Sequence, residues 1–157
     1  MKWRRVLVTL ALFGLMATGC STEISTDEST RNDEGEIVEG GDVGVFVLAI
    51  GDCFDDATTD EVASVKTLPC SSPHDNQVYA ALDLPDGDWP GVETVQLDAS
   101  LACLDRFEAA LGEPYDTSPL DIAPLYPTEG SWGAGDREVL CAVYNVDLSK
   151  LTTSLLD

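Results

Sequence analysis

Five cysteines, at positions 20, 53, 70, 103 and 141, constrain this chain more than any other feature. No two of them stand as C-x-x-C. The paired knuckles of a four-thiolate zinc site are therefore not spelled out, and neither is a thioredoxin-type redox pair. An odd count in an exported chain leaves one thiol needing its own explanation, while an even remainder is read as disulfides. Cys53, Cys70, Cys103 and Cys141 allow three pairings. Cys53 with Cys70 and Cys103 with Cys141 is the favoured set. The first bridge closes a local loop between neighbouring strands, and the second ties a helix to the last strand. By loop-closure entropy each contributes about 3–4 kcal/mol.

The N-terminus accounts for the fifth thiol. Lys2, Arg4 and Arg5 precede an uncharged run from Val6 to Ala17, which is too short for a comfortable membrane span. Ala17-Thr18-Gly19-Cys20 then places small residues directly before a cysteine, the layout of a secretory signal peptide. It resembles the bacterial lipobox read by lipoprotein signal peptidase, with Ala17 where Leu is usual. The resemblance implies cleavage before Cys20 and acylation of Cys20. The chain would then be anchored in the cell membrane on its extracytoplasmic side, and two or more acyl chains hold such an anchor stably. An ordinary cleaved signal or an uncleaved short anchor are the alternatives. Loss of residues 1–19 would leave 138 residues. Three of the eight cations and none of the 29 acids lie in the removed part, so the net charge would move from -21 to -24.

That charge argues against nucleic acid or an anionic lipid surface as a partner. It is densest in residues 21–42, where eight acids accompany one cation and few apolar residues. Such a stretch predicts a disordered, self-repelling tether. The expected organisation is a signal at 1–19, the lipidated cysteine and acidic tether at 20–42, and one domain at 43–157.

Within the domain, Val43 to Ile50 predicts a buried strand, and residues 62–68 and 77–82 predict two more. Pro85 to Gly91 is a loop. Residues 98–111 predict the main helix, with Leu97, Leu101, Leu104 and Leu111 as its apolar stripe and Cys103, Phe107 and Ala110 beside it. Asp98 is the candidate N-cap and Gly112 the stop. A proline-rich loop runs through Pro119, Pro124 and Pro127. Arg137 to Asn145 predicts the last strand, with Val139, Cys141 and Val143 on one face. Residues 147–157 form a short helix or frayed end. The fold class is α+β: a small disulfide-stapled domain with a mostly antiparallel sheet and one main helix.

Chemistry is sparse. His74 is the only histidine, so a multi-histidine metal site is excluded. It could act as a base oriented by Asp52 or Asp75, with Ser71 or Ser72 as nucleophile, but no G-x-S-x-G elbow accompanies it. The favoured reading is a histidine that bonds the backbone of its own turn. Asp83, Asp86 and Asp88 cluster around a glycine turn without the spacing of a calcium-binding EF-hand. Trp89 and Trp132 fall in loops, where aromatics serve either a partner or the core. Arg137, one of five mature cations, is expected to pair with a carboxylate.

Gly51-Asp52-Cys53, Val62, Val65 and Cys70-x-x-Pro73-His74-x-x-x-Val78 resemble the opening of the septum formation domain family. Cys103 and Phe107 on a helix, Pro127, Trp132, Gly135-Asp136-Arg137 and Cys141 continue the resemblance over residues 46–145. Asn76-Gln77 stands where an acidic residue is common. The resemblance implies an envelope protein linked to septation or cell-surface processes, with no established reaction and no cofactor. The expectation is a lipid-anchored, non-enzymatic interaction domain. It would meet an unknown envelope protein or cell-wall component through His74, Trp89, Trp132 and Arg137. A cell-wall hydrolase using His74 and a divalent-cation binder are the alternatives.

Overall fold

The computed structural model describes residues 29–57 and 63–156. A two-stranded hairpin comes first, β1 (Thr30–Arg31) and β2 (Ile37–Glu39). The chain continues through β3 (Asp42–Gly44), β4 (Cys53–Phe54), β5 (Ser64–Leu68) and β6 (Asn76–Asp83). Then come α1 (Val92–Leu111), β7 (Leu120–Leu125), α2 (Glu129–Gly133) and β8 (Glu138–Asn145). Strands β3 to β8 form one antiparallel sheet in the order β3-β5-β4-β6-β8-β7. This is the expected α+β, disulfide-stapled arrangement with one main helix, α1; α2 is a single short turn. Among the described residues no helix is long and apolar enough to cross a membrane.

The sheet is covered on both faces, and β8 shows why it is the apolar centre. Its side chains alternate between faces. Val139, Cys141 and Val143 point to α1, while Leu140 and Ala142 join a second cluster with Val43, Leu48, Phe54, Val65 and Val78. On the helix side, Val95, Ala99, Cys103 and Phe107 form the buried stripe. Both expected disulfides form, Cys53–Cys70 across β4 and the end of β5, and Cys103–Cys141 from α1 to β8. A β-bulge in β6 at Tyr79 breaks the register with β8. The Tyr79 hydroxyl donates to Cys103 O at 2.7 Å, beside the second bridge.

Several expectations are corrected. The strand predicted over Val43–Ile50 pairs only as far as Gly44, then turns through a 3-10 segment at Val45–Val47. That turn lays Leu48 under the sheet and leaves Phe46, Val47 and Ile50 in solvent. Helix α1 begins six residues earlier than expected, with Gly91 rather than Asp98 at its N-cap, although Gly112 ends it in the left-handed conformation at φ 74°. Of the expected leucine stripe, only Leu111 packs against the core. Leu97, Leu101 and Leu104 are exposed, because the smaller Ala99 and Cys103 let the helix sit close enough to β8 for the disulfide. The expected proline loop holds β7, an edge strand, where Pro124 needs no ladder N–H on its open side.

The tail is not frayed. Leu151 is buried, and its backbone exchanges hydrogen bonds with His74 at 2.9 and 3.0 Å. The second half of the expected tether is also ordered. Ile37 is buried, and Thr67 donates to Gly41 O from both its amide and its hydroxyl at 2.9 Å. Gly40 passes so close to β5 that a Cβ there would collide with the Thr67 carbonyl oxygen. Local charge density favoured disorder, and long-range contacts override it. Cys20, with residues 20–28, and Val62 lie outside the described residues.

Candidate functional site

A half-open groove of about 960 Å³ runs between the β1–β2 hairpin and the C-terminal tail. The Cys53–Cys70 bridge forms part of its floor, so the first staple sets the spacing of the two walls. Glu34, Glu36 and Val38 line the hairpin side, Ile50 and Pro69 the middle, and Thr152, Thr153, Ser154 and Leu156 the tail side. Val38 and Ile50 are exposed apolar side chains, and both carboxylates face water.

Two clamps hold the groove in shape. Arg31 grips Asp52 with both terminal nitrogens at 2.6 Å, while Asp52 also accepts the Ala49 amide at 2.8 Å. Asp52 is almost wholly buried. Its hydrogen bond with Arg31 pushes the guanidinium's pKa further up, against the opposing effect of burial. The second clamp is Gln77, fully buried behind the floor. Its Nε2 donates to Gly51 O at 3.2 Å and to Ser154 Oγ at 2.9 Å, and its Oε1 accepts the Leu155 amide at 2.7 Å. One side chain thus ties the floor to the tail wall. Gly51 makes the approach possible by turning at φ 97°.

The residues singled out from sequence do not share one surface. The His74 ring is fully buried. Its Nδ1 lies 2.8 Å from Ser72 O. A carbonyl only accepts, so Nδ1 carries the proton, and Nε2 is buried without a hydrogen-bond partner among the described residues. This is the turn-bonding histidine favoured from sequence. Asp52 is committed to Arg31, and Asp75 binds Lys150 at 2.8 Å and accepts the Asp56 amide. Burial by itself would raise the Asp75 pKa, but the Lys150 ammonium prevails and holds it below the carboxylate norm. Among the described residues neither carboxylate is hydrogen-bonded to the imidazole.

Trp89, Trp132 and Arg137 sit at the other end of the eight-residue strand β6, roughly 25 Å from His74 at about 3.3 Å per residue. Trp132 is buried. Its indole N–H donates to Gly87 O at 2.9 Å, and its ring packs edge-on against Trp89. The Arg137 guanidinium lies 3.8 Å over the Trp132 ring and donates to Trp132 O. Its Nε is 3.3 Å from Asp86, so the expected carboxylate partner is present, but without a hydrogen-bonding angle. These residues close the end of the core rather than presenting loops to a partner. Among the described residues no three metal-ligating side chains gather, Asp83, Asp86 and Asp88 included.

Sequence reasoning missed Arg31, Gln77, Gly40 and the Glu34–Val38 wall. Arg31 carried a signal: a lone cation among eight acids needs a specific counter-charge. Gln77 carried one as well, being an amide at a position where an acid is common. Nothing local distinguished Ser154 or Leu155.

A family model described as "Septum formation" matches residues 50–155. No curated protein matches the chain, and no solved structure does.

Proposed function

We propose, from the premise that the chain belongs to the septum formation family, that it is a lipid-anchored, extracytoplasmic envelope protein. It works without catalysis, holding an extended basic segment of another envelope protein in the groove beside the Cys53–Cys70 bridge. The observation that carries this reading is the groove itself. Val38, Ile50 and Leu156 give it apolar lining from one wall to the other, and Glu34 and Glu36 put two carboxylates on the hairpin wall. That lining suits a segment that carries both hydrophobic and cationic residues. A net charge of -21 draws such a segment in and repels acidic competitors. The burial of His74 and its bond to Ser72 O weigh against the hydrolase alternative.

A photo-crosslinker placed at Val38 in the anchored protein should capture one envelope partner through a basic segment. Ile50→Lys and the double change Glu34→Lys, Glu36→Lys should each abolish that adduct without unfolding the domain. Capture that persists in both variants would remove the groove from the reading. The anchor has a separate test. Cys20→Ser should lose acyl labelling and membrane retention, and a variant that still labels would end the lipidation proposal.

A further inference from the structure

Helix α1 carries a second apolar stripe that the described residues leave exposed. Leu97, Leu101 and Leu104 are 58%, 55% and 36% exposed. They recur at i, i+4 and i+7. At 3.6 residues per turn their mean direction lies about 150° around the helix from the buried Val95–Ala99–Cys103–Phe107 stripe. Single exposed leucines are ordinary, but three on one seam of a regular helix form the pattern by which helices dock side by side. Glu93, Asp98, Asp105 and Glu108 stand on and beside the seam, all exposed. The one nearby cation, Arg106, donates to Ala102 O at 3.1 Å and lies 3.8 Å from Asp105, so it offsets that one carboxylate and leaves Glu93, Asp98 and Glu108 as the acidic border.

This charge pattern selects the occupant. A second copy of the chain would bring two rows of carboxylates together, on molecules that each carry -21. An anionic bilayer would meet the same repulsion. A helix with a leucine-type stripe flanked by Lys or Arg satisfies both the apolar seam and its acidic borders. We propose that the exposed face of α1 docks a cationic amphipathic helix of another protein, at a site separate from the groove.

The probe is a designed helical peptide with Leu at a and d and Lys at e and g. Two controls accompany it: one with Glu at e and g, and one that keeps Lys but carries Ser at a and d. Titrated into the labelled domain, the first should bind saturably and shift the backbone NMR signals of residues 94–108. The controls should show neither. Changing Leu97, Leu101 and Leu104 together to Ser should weaken binding at least tenfold while the β8 NMR signals keep their positions, with only the modest drop in melting temperature that partial burial and serine's lower helix propensity bring. Ile50→Lys in the groove should leave it unaltered, which separates failure here from failure of the groove reading. Equal binding by the triple variant, equal binding of the Ser control, or no binding of the Leu–Lys peptide would overturn the proposal. So would a leucine-dependent dimer by sedimentation, or leucine-dependent binding to anionic vesicles.

Discussion

Replacing Gln77 with Ala should unlatch the C-terminal tail from the rest of the domain. The side chain makes three hydrogen bonds to oxygen and nitrogen partners, Gly51 O, Ser154 Oγ and the Leu155 amide, and a longer, weaker one from Nε2 to Cys70 Sγ at 3.8 Å, all from a fully buried position. A typical net contribution of about 1 kcal/mol per bond gives roughly 3 kcal/mol, and a partly collapsing void adds to that. With a urea slope of about 1.5–2 kcal/mol/M, the unfolding midpoint should fall by roughly 1.5–2 M. The local effect is more specific than the global one. The Leu155 amide loses its only acceptor among the described residues, so its hydrogen exchange should accelerate at least tenfold. Amides in the centre of β8 should follow only the global stability. Gln77→Glu sharpens the test. It keeps an acceptor for Leu155 N–H but turns an anionic oxygen towards Gly51 O in place of a donor. Its deficit should therefore shrink as the pH falls through the carboxyl range and the acid regains a proton to donate. A loss under about 1 kcal/mol with Leu155 still protected would refute the clamp.

Three further outcomes follow from the same contacts. Arg31→Ala leaves the buried Asp52 carboxylate without its counter-charge and should cost about 2–4 kcal/mol in chemical denaturation. Arg31→Lys should recover only part of this, because an ammonium cannot match the two-point grip. Gly40→Ala must displace either the hairpin or β5, since its Cβ would meet backbone rather than a movable side chain. The expected result is faster exchange of the Thr67 amide, which bonds Gly41 O, with the α1 core unaffected. The Tyr115 hydroxyl bonds Asp121 at 2.5 Å, an interaction that lifts the tyrosine pKa from 10 to about 12 and lowers that of the aspartate. A raised folded pKa means stabilisation present below pH 10 and lost as the pH climbs through about 12. A lowered one means stabilisation lost as the pH falls below the usual carboxylate range. The stability gap between the wild type and Tyr115→Phe should therefore be widest at intermediate pH and close at both extremes. A gap that is flat with pH would contradict the assignment.

Some of this architecture was readable because its causes are local. The pattern of β8 from Arg137 to Asn145, the β-branched run in β5, and Gly112 ending α1 in a left-handed turn each depend on residues within a few positions. The cysteines were readable for a different reason. Four thiols without C-x-x-C spacing, next to strands and a helix already placed, left few sensible bridges.

What local pattern cannot report is which of two apolar surfaces has a partner. α1 offers a leucine stripe and a mixed stripe of Val95, Ala99, Cys103 and Phe107, and periodicity scores the leucines higher. The second stripe is buried because Cys103 must reach Cys141 across 38 positions, which brings Ala99 and Phe107 down onto β8 and turns the leucines outward. The same holds for Val43–Ile50, where an apolar run is split between a sheet edge and an exposed turn. It holds for the acidic stretch at 29–42, whose order rests on Asp52, Thr67 and the close passage at Gly40. His74 and Trp132 looked available because both stand beside turn residues, yet the tail covers one and Trp89 with Arg137 closes over the other.

The sequence alone determined the fold class, the family and the excess of negative charge, and it reduced the four domain cysteines to three pairings, because composition, cysteine spacing and short-range chemistry carry them. Only the tertiary structure decided where the domain can meet another molecule. Exposure depends on partners far apart in the chain, as when Gln77 holds Ser154 across 77 positions to raise one wall of the groove.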